Sequence, residues 1–139
     1  MHVCIVPHVN EAPLIVAGSL ALFAAAVHGA GGEVLVVRKL SPSALPPSRF
    51  GGPRMTMTMI HATWHMTTVA FLTVAVALIL SGSILDGDAA RGIALVAAGA
   101  ATGFAAIAIA ASRSPRTLLR HPAAIVLSSA AALAWWGAL

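Results

Sequence analysis

Four side chains in this sequence combine metal-ligand chemistry with an apolar setting: His28, Glu33, His61 and His65. The first two lie in one long apolar segment and the other two in the next. Ionisable groups are expensive inside such segments, so each is a functional candidate by default. His61 and His65 are four residues apart, which sets both imidazoles on one helix face, the spacing by which a helix offers two nitrogens to one ion. Glu33 would complete that ligand set or hold a ligand imidazole in its correct tautomer. Imidazole with carboxylate suits iron, zinc or copper, and donor type alone does not choose among them. The same residues allow haem b, with His28 and either His65 or His61 as axial ligands and Gly/Ala-rich surroundings leaving room for the macrocycle. A chlorin held by a single histidine is a further arrangement. With no ligand at all, His28 would bond His65 and Glu33 would pair with His61 as a hydrogen-bonded cluster between helices.

The elements that carry these groups follow from composition. Of 139 residues, 59% are hydrophobic and only 9% charged, and the mean hydropathy is +0.93. A soluble domain would be about a quarter charged. Too little polar surface exists here to cover a particle in water. The sequence pI near 11.3 suggests nucleic acid at first sight, but eight basic residues among so many apolar ones make no binding face. They read as loop anchors. The single cysteine, Cys4, excludes an internal disulfide and a Cys-rich zinc cluster.

Four apolar segments are expected to form one all-α transmembrane bundle, a single domain over residues 1–139. The first runs from about Ala12 to Val37, with Asn10 as its expected cap and Pro13 tolerated in the first turn. No Lys or Arg precedes it, so it lacks the positive start of a signal peptide. Pro and Gly between Leu40 and Arg54 predict a loop. The second segment spans about Met55 to Leu80, stopping at Ser81-Gly82-Ser83, and a turn with Asp86 and Asp88 leads to Arg91. The third covers Gly92 to about Ala111 and the fourth begins at Pro122 and runs to the C-terminus at residue 139. Each approaches the roughly 20 apolar residues of a spanning helix, whereas barrel strands would be about half as long and alternate in polarity.

Orientation follows from the basic residues. Arg38, Lys39, Arg49, Arg54, Arg113, Arg116 and Arg120 lie in the loops after the first and third segments, and only Arg91 lies on the other side. That asymmetry predicts those loops in the cytoplasm and both termini outside, with Trp135 and Trp136 near the outer interface. Measured from Arg38 and Arg54 at about 1.5 Å per residue, His28 is roughly 15 Å deep and His65 roughly 16 Å. Glu33 is roughly 8 Å deep and His61 roughly 10 Å. Two rungs of polar residues are therefore expected in the cytoplasmic half, between the first two helices. His28 and Glu33 are five apart and diverge by roughly 140° on an ideal helix. Gly29, Gly31 and Gly32 would permit a π-bulge that brings them closer, or would simply let helices approach. His2, His8 and His121 fall in tails or at an interface and read as solvated.

Met55, Met57 and Met59, followed by His61, suggest soft-metal handling such as Cu(I) transfer. On a helix, however, Met55 and Met59 share one face while Met57 lines up with His61, and methionine is ordinary packing material. Met1-His2-Val3-Cys4 is a weaker metal motif. No nucleophile elbow, H-E-x-x-H, Walker loop or dinucleotide fingerprint occurs. No internal repeat of the transporter kind is evident either.

His28, Gly32-Glu33 and Trp64-His65-Met66-Thr67 together carry a resemblance. The sequence resembles small four-helix bacterial membrane proteins with a histidine and then Gly-Glu in helix one, and a Trp-His pair followed by Thr or Ser in helix two. The likeness covers the first two helices. It implies a multi-pass protein of the bacterial inner membrane, with His28, Glu33 and His65 as the core set and His61 as an addition, and it implies no activity. Two classes of function stay open: a metal- or haem-binding protein with a capacity for redox activity, and an accessory subunit without a ligand. The expected partners are the lipid bilayer and a second copy or a larger membrane complex, through the Ala/Gly-rich third and fourth helices.

Overall fold

The computed structural model describes residues 8–49, 51–112, 114, 116, 118 and 122–139. The expectations placed on Met1, His2, Cys4, Arg113, Arg120 and His121 lie outside them. Helix α1 is Glu11–Ala26; it runs without a break into a π-helical turn, Val27–Gly31, and then into a short α-turn, α2, Gly32–Leu35. A 3-10 turn, Val37–Lys39, ends this first stretch. Helix α3 is Pro53–Ser83, α4 is Gly87–Ala111 and α5 is Pro122–Ala138. Among the described residues there is no strand, only an isolated bridge between Ser48 and Gly51. The protein is all-helical.

Three stretches are long and apolar enough to cross a membrane: Glu11–Lys39, Pro53–Ser83 and Gly87–Ala111. The fourth helix is equally apolar but has 17 residues, at the short end of what a bilayer needs. Large apolar side chains point outward from all four, including Phe23, Val69, Val96 and Ile125, as expected of surface that meets lipid.

Helix α1 packs on α3 and α5, and α4 packs on α5 and more lightly on α3, closing a ring. The core is built largely from alanine. Ala17 and Ala21 of α1, Ala75 of α3, Ala97, Ala98 and Ala101 of α4, and Ala131 and Ala134 of α5 are buried together around Leu14 and Leu78. Small side chains let helix backbones approach closely, and dispersion over that contact replaces the hydrophobic drive that lipid removes. A second cluster, Ala25, Phe71, Ala105 and Leu127, lies below the first. There the rings of Phe71 and Phe104 meet edge-to-face at 4.7 Å.

Several local details differ from the sequence expectations. Asn10 occupies the cap position of α1 in extended conformation, but its side chain makes no capping bond. Its backbone N–H instead donates to the Gly137 carbonyl at 2.8 Å, tying the start of α1 to the end of α5. Helix α3 begins two residues before the expected Met55 and ends at Ser83, the last residue of the expected Ser81-Gly82-Ser83 stop. Gly82 sits against α1, and Ser83, the last residue of the helix, returns its hydroxyl to the Ile79 carbonyl at 2.6 Å. Helix α4 starts at Gly87, whose φ of 58° favours glycine. Asp88 and Arg91 therefore lie within its first turns. Trp135 turns its indole N–H to the Thr102 hydroxyl at 2.9 Å and so clamps α5 to α4.

Candidate metal centre

The π-helical turn at Val27–Gly31 positions the site. Widening the helix to i→i+5 pairing re-aims every residue after it, and glycine at 29, 31 and 32 leaves the room. Two of these glycines are demanded by α3. A Cβ on Gly29 would stand 2.7 Å from Thr68 Cγ2, and one on Gly32 would collide with the Trp64 ring. The first stretch thus lies against α3 with almost nothing between them. Trp64 is the wedge at this seam. Its indole N–H donates to the His28 carbonyl at 3.0 Å, a carbonyl in the distorted part of the helix. Its ring stacks on the His28 imidazole at 4.2 Å and 12°.

On one side of that wedge, Glu33, His61 and His65 come together. One ligand atom from each lies within 4.8 Å of the other two. The two imidazoles are 6.5 Å apart between ring centres and tilted by 51°. Glu33 Oε2 faces His65 Nε2 at 3.8 Å, too long for a hydrogen bond. An ion with bonds of about 2.0–2.2 Å holds its ligand atoms about 3–3.5 Å apart. Side-chain rotations that close the trio by about an ångström would suffice. The remaining coordination positions would face outward, where the His65 side chain is 56% exposed.

Electrostatically the site is anchored by its carboxylate. Arg38 Nε lies 3.3 Å from Glu33 Oε1, while the carboxylate itself is 17% exposed. Glu33 Oε2 is buried and has no hydrogen-bond partner among the described residues. One carboxylate oxygen is therefore engaged by a cation at the helix end, and the other is turned toward the imidazoles with nothing to accept. Arg38 is 69% exposed, so its charge is largely screened and the pair is worth at most about 1 kcal/mol. Replacing Arg38 by Met removes a positive charge beside the place of a dication. Metal affinity is then expected to rise about twofold to fivefold, read by competition against a chelating dye. A loss of affinity would mean that Arg38 acts mainly by orienting the carboxylate.

His28, expected in the same ligand set, stands apart. It contacts Trp64 face to face and Phe71 edge-on at 5.4 Å and 73°, and it is absent from the trio. The π-turn is present, yet it does not bring His28 and Glu33 to one ligand: His28 stacks on Trp64, and Glu33 faces His61 and His65. The expected rungs are rearranged accordingly. Glu33 meets both His61 and His65, and His28 lies level with Trp64. Of the methionines, Met55 and Met59 are 43% and 47% exposed. Two further residues contribute to the site. Trp64 is a tryptophan deep in a span rather than at an interface, and Arg38 sits five residues after Glu33 in a turn that tightens to 3-10 geometry.

Comparison with known proteins adds no relative: no family model matches the chain, and neither a curated protein nor a solved structure does so.

Proposed function

We propose that this chain is an integral membrane metal-binding protein that holds one transition-metal ion on Glu33, His61 and His65. The observation that carries the reading is Glu33 Oε2, a buried carboxylate oxygen without a hydrogen-bond partner among the described residues, within reach of two imidazoles. A buried acceptor left unpaired is unfavourable, and a cation shared with the two histidines satisfies it. Two histidines and one carboxylate with open positions suit iron(II) and zinc, and copper(II) where the geometry flattens. Iron or copper there would be redox-active.

The arginine-rich loops belong on the cytoplasmic side and both termini outside, in the bacterial inner membrane that the resemblance implies. That orientation sets the ion in the cytoplasmic half of the bilayer. A second copy or a larger complex packs on α4, where Gly92, Gly99 and Gly103 have open space at the Cβ position, a surface that admits another helix closely. Labelling of Cys4 in intact spheroplasts by a membrane-impermeant maleimide tests the orientation.

Elemental analysis and an absorption spectrum of the purified protein test the function. The expected result is about one iron, zinc or copper per chain without a Soret band, lost in the His61→Ala/His65→Ala double variant. A Soret band replaces the bare ion by haem b. Absence of any metal after loading leaves an accessory subunit in which the polar cluster only joins helices.

A further inference from the structure

A metal ion at Glu33, His61 and His65 brings more positive charge than the chain itself offsets. A dication on one carboxylate and two neutral imidazoles keeps a net positive charge, and the Arg38 guanidinium adds another beside it. The sequence holds four acidic side chains. Glu11 opens α1 beside Gly82, at the far end of α3 from His61, and Asp86 and Asp88 follow that same end. Among the described residues, Glu33 is thus the only carboxylate side chain at the site's end of the bundle. Arg38, Lys39, Arg49 and Arg54 all stand at that end. Net charge within a span is costly, so a further anion has to come from outside the chain.

The same corner offers a place for one. Arg38 spends only its Nε on Glu33 Oε1, at 3.3 Å. Its terminal N–H groups have no partner among the described residues, and the side chain is 69% exposed. A guanidinium presents those groups as a fork that matches two oxygens of one phosphate or carboxylate. The open coordination positions of the ion lie nearby, on the side where His65 is 56% exposed. Glu33 already spans the two, with Oε1 on the guanidinium and Oε2 turned toward the imidazoles. An oxyanion with one oxygen on the ion and another on Arg38 follows the same span. Arginines at the end of a span stand at headgroup level, where phosphate is the oxyanion at hand. We propose that the centre takes a phosphate group as its external ligand, shared between the ion and Arg38. Such a ligand presupposes the ion on Glu33, His61 and His65 and fills one of its open positions. Free phosphate and the phosphate of a lipid headgroup offer the same oxygens.

The test uses the delipidated full chain in dodecyl maltoside, which carries no phosphate, loaded with Cu²⁺. Integrated electron paramagnetic resonance intensity counts the bound copper, and phosphorus electron–nuclear double resonance detects phosphate beside it. Inorganic phosphate is titrated in one arm and short-chain phosphatidic acid in the other. A saturable phosphorus coupling is expected, and the arm that saturates at the lower concentration identifies the source. Arg38→Met is expected to raise the half-saturation concentration at least about tenfold, the scale of one charge-assisted pair, with copper still bound. Arg38→Lys, which keeps the charge and loses the fork, is expected to recover part of that loss. Copper bound at about one per chain with no phosphorus coupling in either arm overturns the phosphate ligand and leaves the metal centre standing. Equal half-saturation in the parent and in Arg38→Met also overturns it, because phosphate then sits on copper without Arg38. A parent that binds no copper, zinc or iron overturns the centre and its ligand together.

Discussion

Glu33→Gln is expected to lower the affinity for a divalent transition metal by at least about 100-fold while leaving the helices intact. Loss of an outer partner of a metal ligand already costs about 10- to 100-fold, and Glu33 is placed to bind the ion directly. The amide keeps the size of the carboxylate, so Trp64 and the π-turn are undisturbed. It removes the charge that offsets the ion, and it removes the Arg38 pair as well. Because that pair is exposed on the arginine side, little stability goes with it. Competition titration measures the affinity, and circular dichroism in the same detergent confirms the fold. Unchanged affinity in Glu33→Gln would place the ion elsewhere. A strong loss of helicity would mean that the carboxylate acts structurally.

The second large effect concerns the wedge between the first stretch and α3. Trp64→Ala is expected to destabilise the protein by about 3–5 kcal/mol, the usual range for removing a large aromatic from a packed site. Three contacts vanish together: the stack on His28, the hydrogen bond to its carbonyl, and the contact with Gly32. The carbonyl lies in the π-turn, so its loss also frees the distortion that aims Glu33. Metal affinity should therefore fall with stability in Trp64→Ala. Trp64→Phe keeps a smaller ring in the slot but loses the N–H and the outer edge of the indole, so it should cost about 1–3 kcal/mol, less than Trp64→Ala. Thermal unfolding in micelles orders the parent, Trp64→Phe and Trp64→Ala. Equal stability of Trp64→Ala and the parent would contradict the role given to the wedge.

The sequence carries the depth of the site but not its azimuth, and the reason is geometric. Rise per residue is nearly fixed in any helix, so counting from Arg38 and Arg54 brings Glu33 near His61 and sets His28 near the level of Trp64-His65. Rotation about the axis is less constrained. It depends on the π-turn, which the glycines permit but do not dictate, and on which neighbour fills the seam. Trp64 fills it, pressing on Gly32, and His65, one residue further on, is turned about 100° away toward Glu33. A depth count pairs His28 with His65, whereas the wedge separates them. The same applies to Asn10, whose capping chemistry is plain in the sequence but whose backbone is taken by Gly137 at the far end of the chain. The helical class itself is readable from composition alone, because apolar runs of this length leave few alternatives.

The central claim is that two imidazoles and one carboxylate hold a single ion. Pulsed electron paramagnetic resonance of the Cu²⁺-loaded protein tests it most directly, since the remote nitrogen of each bound imidazole modulates the echo. Modulation from two imidazoles is expected in the parent, from one in His61→Ala and in His65→Ala, and from two in His28→Ala. Modulation unchanged by both His61→Ala and His65→Ala, or reduced by His28→Ala, would contradict it.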